Sequence, residues 1–97
     1  MCGIIGITSS KPVSSAIINS LRKLEYRGYD SAGIATLSNG VINEVKSEGR
    51  VDNLEKNLAI KSMIGVVGIG HVRWATHGVP NAINAHPHSS ENVSIVH

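Results

Sequence analysis

The sequence contains no phenylalanine, one tryptophan, two tyrosines and a single cysteine among its 97 residues. With aromatics at 3% and hydrophobic residues at 41%, any core has to be filled by Ile, Val, Leu and Ala. One cysteine excludes an internal disulfide, so a reducing, cytoplasmic setting is the expectation. No apolar stretch approaches the roughly 20 residues that span a bilayer, because Gly, Ser and charged residues interrupt every candidate; no membrane association is expected. A basic start followed by a long apolar core is missing, and Gly3 is one place too late for myristoylation, which argues against secretion and lipidation. Charge is sparse as well. Nine basic and seven acidic residues leave a net charge of +2, and they are interspersed, with no basic stripe for a nucleic-acid backbone. Repeats and flexible linkers are lacking too, and the length fits one small domain or part of a larger one.

What is present reads as mixed strands and helices. Residues 2–7, Cys-Gly-Ile-Ile-Gly-Ile, form a short apolar run suited to a buried strand. Pro12 suits a first helical position, and Val13, Ile17, Leu21 and Leu24 recur on one face of a helix that Gly28 is placed to end. Arg27-Gly28-Tyr29-Asp30 then reads as a turn into a second strand, residues 31–37. Asn39-Gly40 between two β-rich runs, 34–37 and 41–45, predicts an antiparallel hairpin. Asp52 followed by Glu55 has the spacing of a capping box, with Val51, Leu54 and Leu58 as a second, shorter helical stripe. Residues 64–74 predict a long strand thinned by glycines. Its Gly68 and Gly70 are not a dinucleotide loop, since neither a third glycine at the required spacing nor a helix signal follows. Residues 75–92 are turn-like, and 93–96 begin another strand.

Cys2 is the residue with most chemical content. If Met1 is removed, its thiol shares a carbon with a free α-amine. Reference pKa values of about 8.5 for the thiol and about 7.7 for the amine make proton transfer between them cost only about 1 kcal/mol. Such a residue carries its own general base, as in N-terminal-nucleophile catalysis. On position alone, Cys2 reads first as a small buried hydrophobe, the commonest place for a free cysteine.

Two further segments hold groups able to bind a ligand. Arg73-Trp74-Ala75-Thr76-His77-Gly78 lies where a strand runs out into a loop, and Arg73 offers a two-pronged donor for a carboxylate. A surface ion pair for Arg73 and a core position for Trp74 are the competing readings. His71, His77, His86, His88 and His97 do not fit metal-ligand spacing, so no metal and no cofactor is expected. A papain-like pairing of Cys2 with His77 is open, although an N-terminal cysteine does not require it. Arg27-Gly28-Tyr29-Asp30-Ser31-Ala32-Gly33 by itself is a polar turn in which Arg27 and Asp30 could pair.

Taken in order, Cys-Gly-Ile-Ile-Gly, Arg-Gly-Tyr-Asp-Ser-Ala-Gly, His-x-Arg-Trp-Ala-Thr-His-Gly and Asn-Ala-His-Pro-His closely resemble the class II glutamine amidotransferases. The tyrosine-aspartate-serine turn and Trp74-Ala75-Thr76-His77 resemble the amino-sugar branch rather than the purine branch. The resemblance implies an α+β fold, the α/β/β/α sandwich of antiparallel sheets of N-terminal-nucleophile hydrolases, truncated here. It further implies that Cys2 attacks the side-chain amide of glutamine with its own α-amine as base, and that Arg27 organises the nucleophile's surroundings. Arg73 would bind the substrate α-carboxylate, Thr76 and His77 would line the glutamine pocket, and Trp74 would gate the route of ammonia to a second site. There, fructose 6-phosphate would become glucosamine 6-phosphate. A sugar isomerase module is the expected partner in the complete protein, which is also compatible with a homodimer.

Residues 1–97 would then be the N-terminal portion of a type 2 glutamine amidotransferase domain, without sugar isomerase domains. The family places an asparagine-glycine oxyanion pair and an amine-binding aspartate after the position of His97. Losing one oxyanion donor can cost about 10²–10³ in rate, so the 97 residues alone are expected to be silent. A non-catalytic remnant or interaction module that retains the motifs is the alternative.

Overall fold

The computed structural model describes residues 1–57, 60 and 62–97. In chain order the elements are β1 (Gly3–Thr8), α1 (Ser14–Leu24), a 3-10 turn (Glu25–Arg27), β2 (Ser31–Ser38), β3 (Val41–Glu48), α2 (Val51–Glu55), β4 (Val67–Arg73), β5 (His88–Ser89) and β6 (Ser94–Ile95). The first four strands make one antiparallel sheet in the order β1-β4-β2-β3, and β5 and β6 pair as a separate two-stranded ribbon.

Alternation along the strands decides what lies on each face. One face presents Gly68, Gly70 and Val72 of β4, with Ala32 and Ile34 of β2 and Val45 of β3, to the helices. Helix α1 answers with Ile17, Ile18 and Leu21, all essentially inaccessible, and α2 adds Val51 and Leu54. Burying one such side chain contributes about 1.5–3 kcal/mol, so this aliphatic layer offsets the absence of aromatic core residues. The glycines of β4 are what let α1 lie close: a Cβ at Gly70 would stand 2.5 Å from the Ile17 side chain, and one at Gly68 would stand 2.7 Å from it.

The opposite face carries Ile4 of β1, His71 and Arg73 of β4, Gly33 and Ala35 of β2, and Glu44 and Lys46 of β3. The segment 83–95 runs over it. Lys46 donates to the Ile83 carbonyl, Ser89 hydrogen-bonds Glu44, and the His86 carbonyl rests against Gly33. Of the four sandwich layers, the described residues thus supply a helical layer, a sheet and a small ribbon on the second face.

The predicted hairpin is present. Ser38 pairs with Val41, and Asn39 and Gly40 have φ of 51° and 75°, the left-handed pair of a two-residue type I′ turn. Strand ends shift by a few residues, β5 forms within the segment expected to be turn-like, and four further differences have an identifiable cause. Pro12 lies before the helix rather than in its first turn, because the Val13 N–H bonds the Gly65 carbonyl at 3.0 Å and holds Val13 as the N-cap. The strand expected over 64–74 begins only at Val67, since the carbonyls of Gly65 and Val66 are taken by Val13 and Ser9. Asp52 does not cap α2: Arg50 is the N-cap residue without a side-chain bond, and Asp52 and Glu55 both bind Arg22 of α1, at 3.3 and 2.6 Å. Gly28 follows a 3-10 turn rather than the α-helix itself, in an extended conformation. The expected place of Leu58 in the second helical stripe lies outside the described residues.

Candidate active site

The N-terminus of β1 and the C-terminal end of β4 are neighbours by register, Gly3 opposite Val72, so Cys2 falls beside the residues that leave β4. The Trp74 N–H donates to the Cys2 sulfur at 3.4 Å, and the sulfur lies 3.8 Å from the Trp74 carbonyl. Arg27 approaches from the 3-10 turn, and its Nε donates to the Cys2 carbonyl at 2.9 Å. The predicted alternative pairing of Arg27 with Asp30 is not what forms. Asp30 instead accepts from the Ser31 hydroxyl at 3.1 Å and from the Ala75 N–H, while its own N–H donates to the Arg73 carbonyl at 3.2 Å. The turn 27–31 therefore holds both Cys2 and the start of the 74–78 loop.

Gly28 makes this approach possible. A Cβ there would be 2.5 Å from the Arg73 carbonyl carbon and 2.7 Å from the Trp74 nitrogen. The need for glycine is space against backbone, since its φ of −177° is open to any residue.

Arg73 is 8% exposed and turns its guanidinium onto the loop that follows it. Nη1 donates to the Val79 carbonyl at 3.2 Å and Nη2 to the His77 carbonyl. Asn84 reaches the same Val79 carbonyl at 3.0 Å, and Gly78 provides the left-handed φ of 81° at the bend. A guanidinium has five N–H donors, so these carbonyls do not exhaust it.

Cys2, Arg73, Trp74, Thr76 and His77 line one cavity of about 450 Å³, together with Gly78, Asn84, His86, His88 and His97. That is within the usual range for small-molecule sites, roughly 300–1,000 Å³. Arg27 is not on its wall. Trp74 also borders a second cavity of about 290 Å³, shared with Tyr29, Asp30 and Ala75. Its ring meets Tyr29 edge-on at 6.1 Å, and the Arg50 guanidinium lies 4.8 Å over the Tyr29 ring.

Among the described residues no group of three or more His, Cys, Asp or Glu is arranged to hold a metal ion. Four of the five histidines, His71, His86, His88 and His97, lie ring against ring. His86 stacks on His71 at 4.4 Å and 25°, and touches the rings of His88 and His97 at 4.5 and 4.7 Å. His71 is fully buried, and burial pushes its pKa below the usual value. Burial, reinforced by the neighbouring His71, pushes His86 down to about 4. Both rings are neutral at pH 7. This histidine wall and Asp30 are what the spacing of residues left hidden, because their partners are set by the sheet register.

No family model matches the chain. Over all 97 residues it is 56% identical to the glutamine–fructose-6-phosphate aminotransferase (isomerizing) of Agrobacterium fabrum and 54% identical to that of Mesorhizobium japonicum. The chain spans 16% of the length of each of these relatives. Among solved structures it is similar to the glutamine phosphoribosylpyrophosphate amidotransferase of B. subtilis complexed with ADP and GMP. That likeness has a TM-score of 0.78 at 26% identity and covers 97% of this chain and 20% of the other. A structure described as the allosteric regulatory enzyme of purine biosynthesis gives the same TM-score and identity, with 90% and 18% covered. The fold of this chain is thus similar to that of solved glutamine amidotransferases, and its sequence is similar over its whole length to part of the aminotransferases.

Proposed function

We propose that this chain carries the nucleophile and part of the substrate pocket of a glutamine-hydrolysing site. In the complete protein, that site supplies ammonia for conversion of fructose 6-phosphate to glucosamine 6-phosphate. The observation that supports it most directly is that Cys2, Arg73, Trp74, Thr76 and His77 share one cavity. Met1 is 76% exposed and so open to removal, which frees the α-amine of Cys2.

With that amine as base, the Cys2 sulfur attacks the side-chain amide carbon of glutamine and its proton passes to the departing nitrogen. The carbon–nitrogen bond breaks, ammonia leaves, and a γ-glutamyl thioester remains on Cys2. Water, deprotonated by the same amine, then breaks the carbon–sulfur bond and releases glutamate. Arg27 holds the Cys2 carbonyl, so the nucleophile's backbone is fixed while its sulfur reacts. The Arg73 guanidinium binds the glutamine α-carboxylate, with Thr76 and His77 beside it. Trp74 borders both the Cys2 cavity and the Tyr29 cavity, which supports a role for it as the gate on the route of ammonia. A sugar isomerase module of the same protein would receive it, in an assembly compatible with a homodimer.

The test is labelling with an electrophilic glutamine analogue, read by peptide mass spectrometry of the full-length protein. Modification is expected on Cys2 alone, blocked by glutamine and absent in Cys2→Ala, which should still use free ammonia. Modification elsewhere, or glutamate release that survives Cys2→Ala, overturns the assignment.

A further inference from the structure

His71 has no place in the proposed chemistry and does not border the Cys2 cavity, yet it is a fully buried polar side chain packed against residues that do. It lies at the centre of β4, opposite Ile4 on one side and Gly33 on the other. Above it, the His86 ring stacks at 4.4 Å, and its Nε2 lies 2.7 Å from the carbonyl oxygen of His97. A carbonyl only accepts, so Nε2 carries the proton and Nδ1, buried without a partner, keeps its lone pair. His86 and His97 both border the Cys2 cavity, and neither is held by an element of regular structure.

We propose that His71 is a positioning residue for this cavity: its ring face seats His86 and its Nε2–H fixes the His97 carbonyl, so one buried side chain sets two wall segments relative to Cys2. The proposal rests on the glutaminase reading for the ligand that the wall shapes. A wall that drifts by about 1 Å can cost on the order of 10²-fold in rate without any lost contact at the reacting atoms. The donor to the carbonyl is the essential feature. Glutamine places an amide N–H close to the position of Nε2, whereas leucine fills the space without donating.

The experiment uses the full-length protein with His71→Leu, His71→Gln and His71→Asn. Two rates are measured at Cys2, one with the electrophilic glutamine analogue and one with iodoacetamide, which needs no shaped pocket. Labelling by the analogue should fall roughly 10- to 100-fold in His71→Leu and recover to within about fivefold in His71→Gln. Iodoacetamide labelling should be unchanged in both. In steady state the loss should fall on kcat more than on the KM for glutamine. Equal analogue labelling in wild type, His71→Leu and His71→Gln overturns the proposal, as does a parallel rise in iodoacetamide labelling, which reports a merely loosened fold. If His71→Leu does not fold, His71→Asn, whose amide is too short for the carbonyl, should fall below His71→Gln; equality again overturns it. Absence of analogue labelling at Cys2 in the wild type is a different outcome and overturns the glutaminase reading together with this inference.

Discussion

The carbonyl of His86 rests directly on the backbone of Gly33, so closely that a Cβ at Gly33 would stand 2.9 Å from the His86 carbonyl carbon and nearer still to its oxygen. Two segments that are far apart in sequence meet there: the Tyr-Asp-Ser-Ala-Gly run that opens β2 and the His-Pro-His run that walls the Cys2 cavity. Glycine is needed for space and not for its dihedral freedom, since Gly33 is in a regular strand.

Gly33→Ala should therefore displace residues 86–88 and not β2, whose backbone is paired on both sides. Overpacking of this kind costs about 1–3 kcal/mol. The expected outcome is a lowered melting temperature together with loss of analogue labelling at Cys2. A variant of unchanged stability and labelling would mean that the loop has room to move off the sheet.

Acidification should destabilise the protein through the buried histidines, and the direction follows from their depressed pKa values. The unfolded chain takes up protons near the ordinary histidine value of about 6.5, while folded His86 does so only near 4. His71 shifts in the same direction because of burial. Below about pH 6.5 the unfolded state binds more protons, so stability is lost as pH falls through that window and levels off below about pH 4. For His86 the loss is at most about 3 kcal/mol, reduced where water reaches the ring. Chemical denaturation between pH 7.5 and 4.5 checks it, and His86→Gln should flatten the dependence. An equally steep dependence in that variant would place its origin elsewhere.

Arg73 has a structural duty as well as the proposed carboxylate contact, because it already holds the carbonyls of His77 and Val79. Arg73→Lys keeps the charge and loses the fork. A lost charge-assisted hydrogen bond is worth about 1.5–3 kcal/mol, so KM for glutamine should rise roughly 10- to 150-fold, with only a small drop in melting temperature. A lowered melting temperature with unchanged KM would leave Arg73 as a loop clamp alone.

The elements legible in the sequence were those specified locally. Asn39-Gly40 dictates its turn by itself, and the apolar spacing of Val13, Ile17, Leu21 and Leu24 exposes the face of α1. Distant partners account for the misreadings. Asp52 and Glu55 have capping-box spacing, but Arg22, thirty residues earlier, takes both carboxylates. Gly28 looks like a helix-ending glycine, and its actual constraint is the backbone of Arg73 and Trp74. Cys2 and the 73–77 segment stand out in the sequence as candidates because each carries reactive or ligand-binding groups within a few residues, and the structure brings them to one cavity. The histidine wall does not, since the imidazoles of His71, His86, His88 and His97 become neighbours only when β4 pairs with β1 and β2 and the 83–95 segment folds back over that face.

The proposed self-sufficiency of Cys2 as nucleophile and base gives the last prediction. Among the described residues, the hydrogen-bond partners of its sulfur are the backbone N–H and carbonyl of Trp74, neither of which can serve as a general base. His77 borders the same cavity and is the rival candidate. Extending the N-terminus by one uncleavable residue converts the α-amine into an amide and leaves the thiol, Arg27 and His77 in place. If the amine is the base, glutamine hydrolysis should fall by at least about 10²-fold, the ordinary range for loss of a general base, while ammonia-dependent synthesis continues. In the same assay His77→Asn, with a free N-terminus, should raise KM more than it lowers kcat. Undiminished turnover in the extended protein, combined with collapse of kcat in His77→Asn, would transfer the base to His77 and make Cys2 a cysteine of the papain kind.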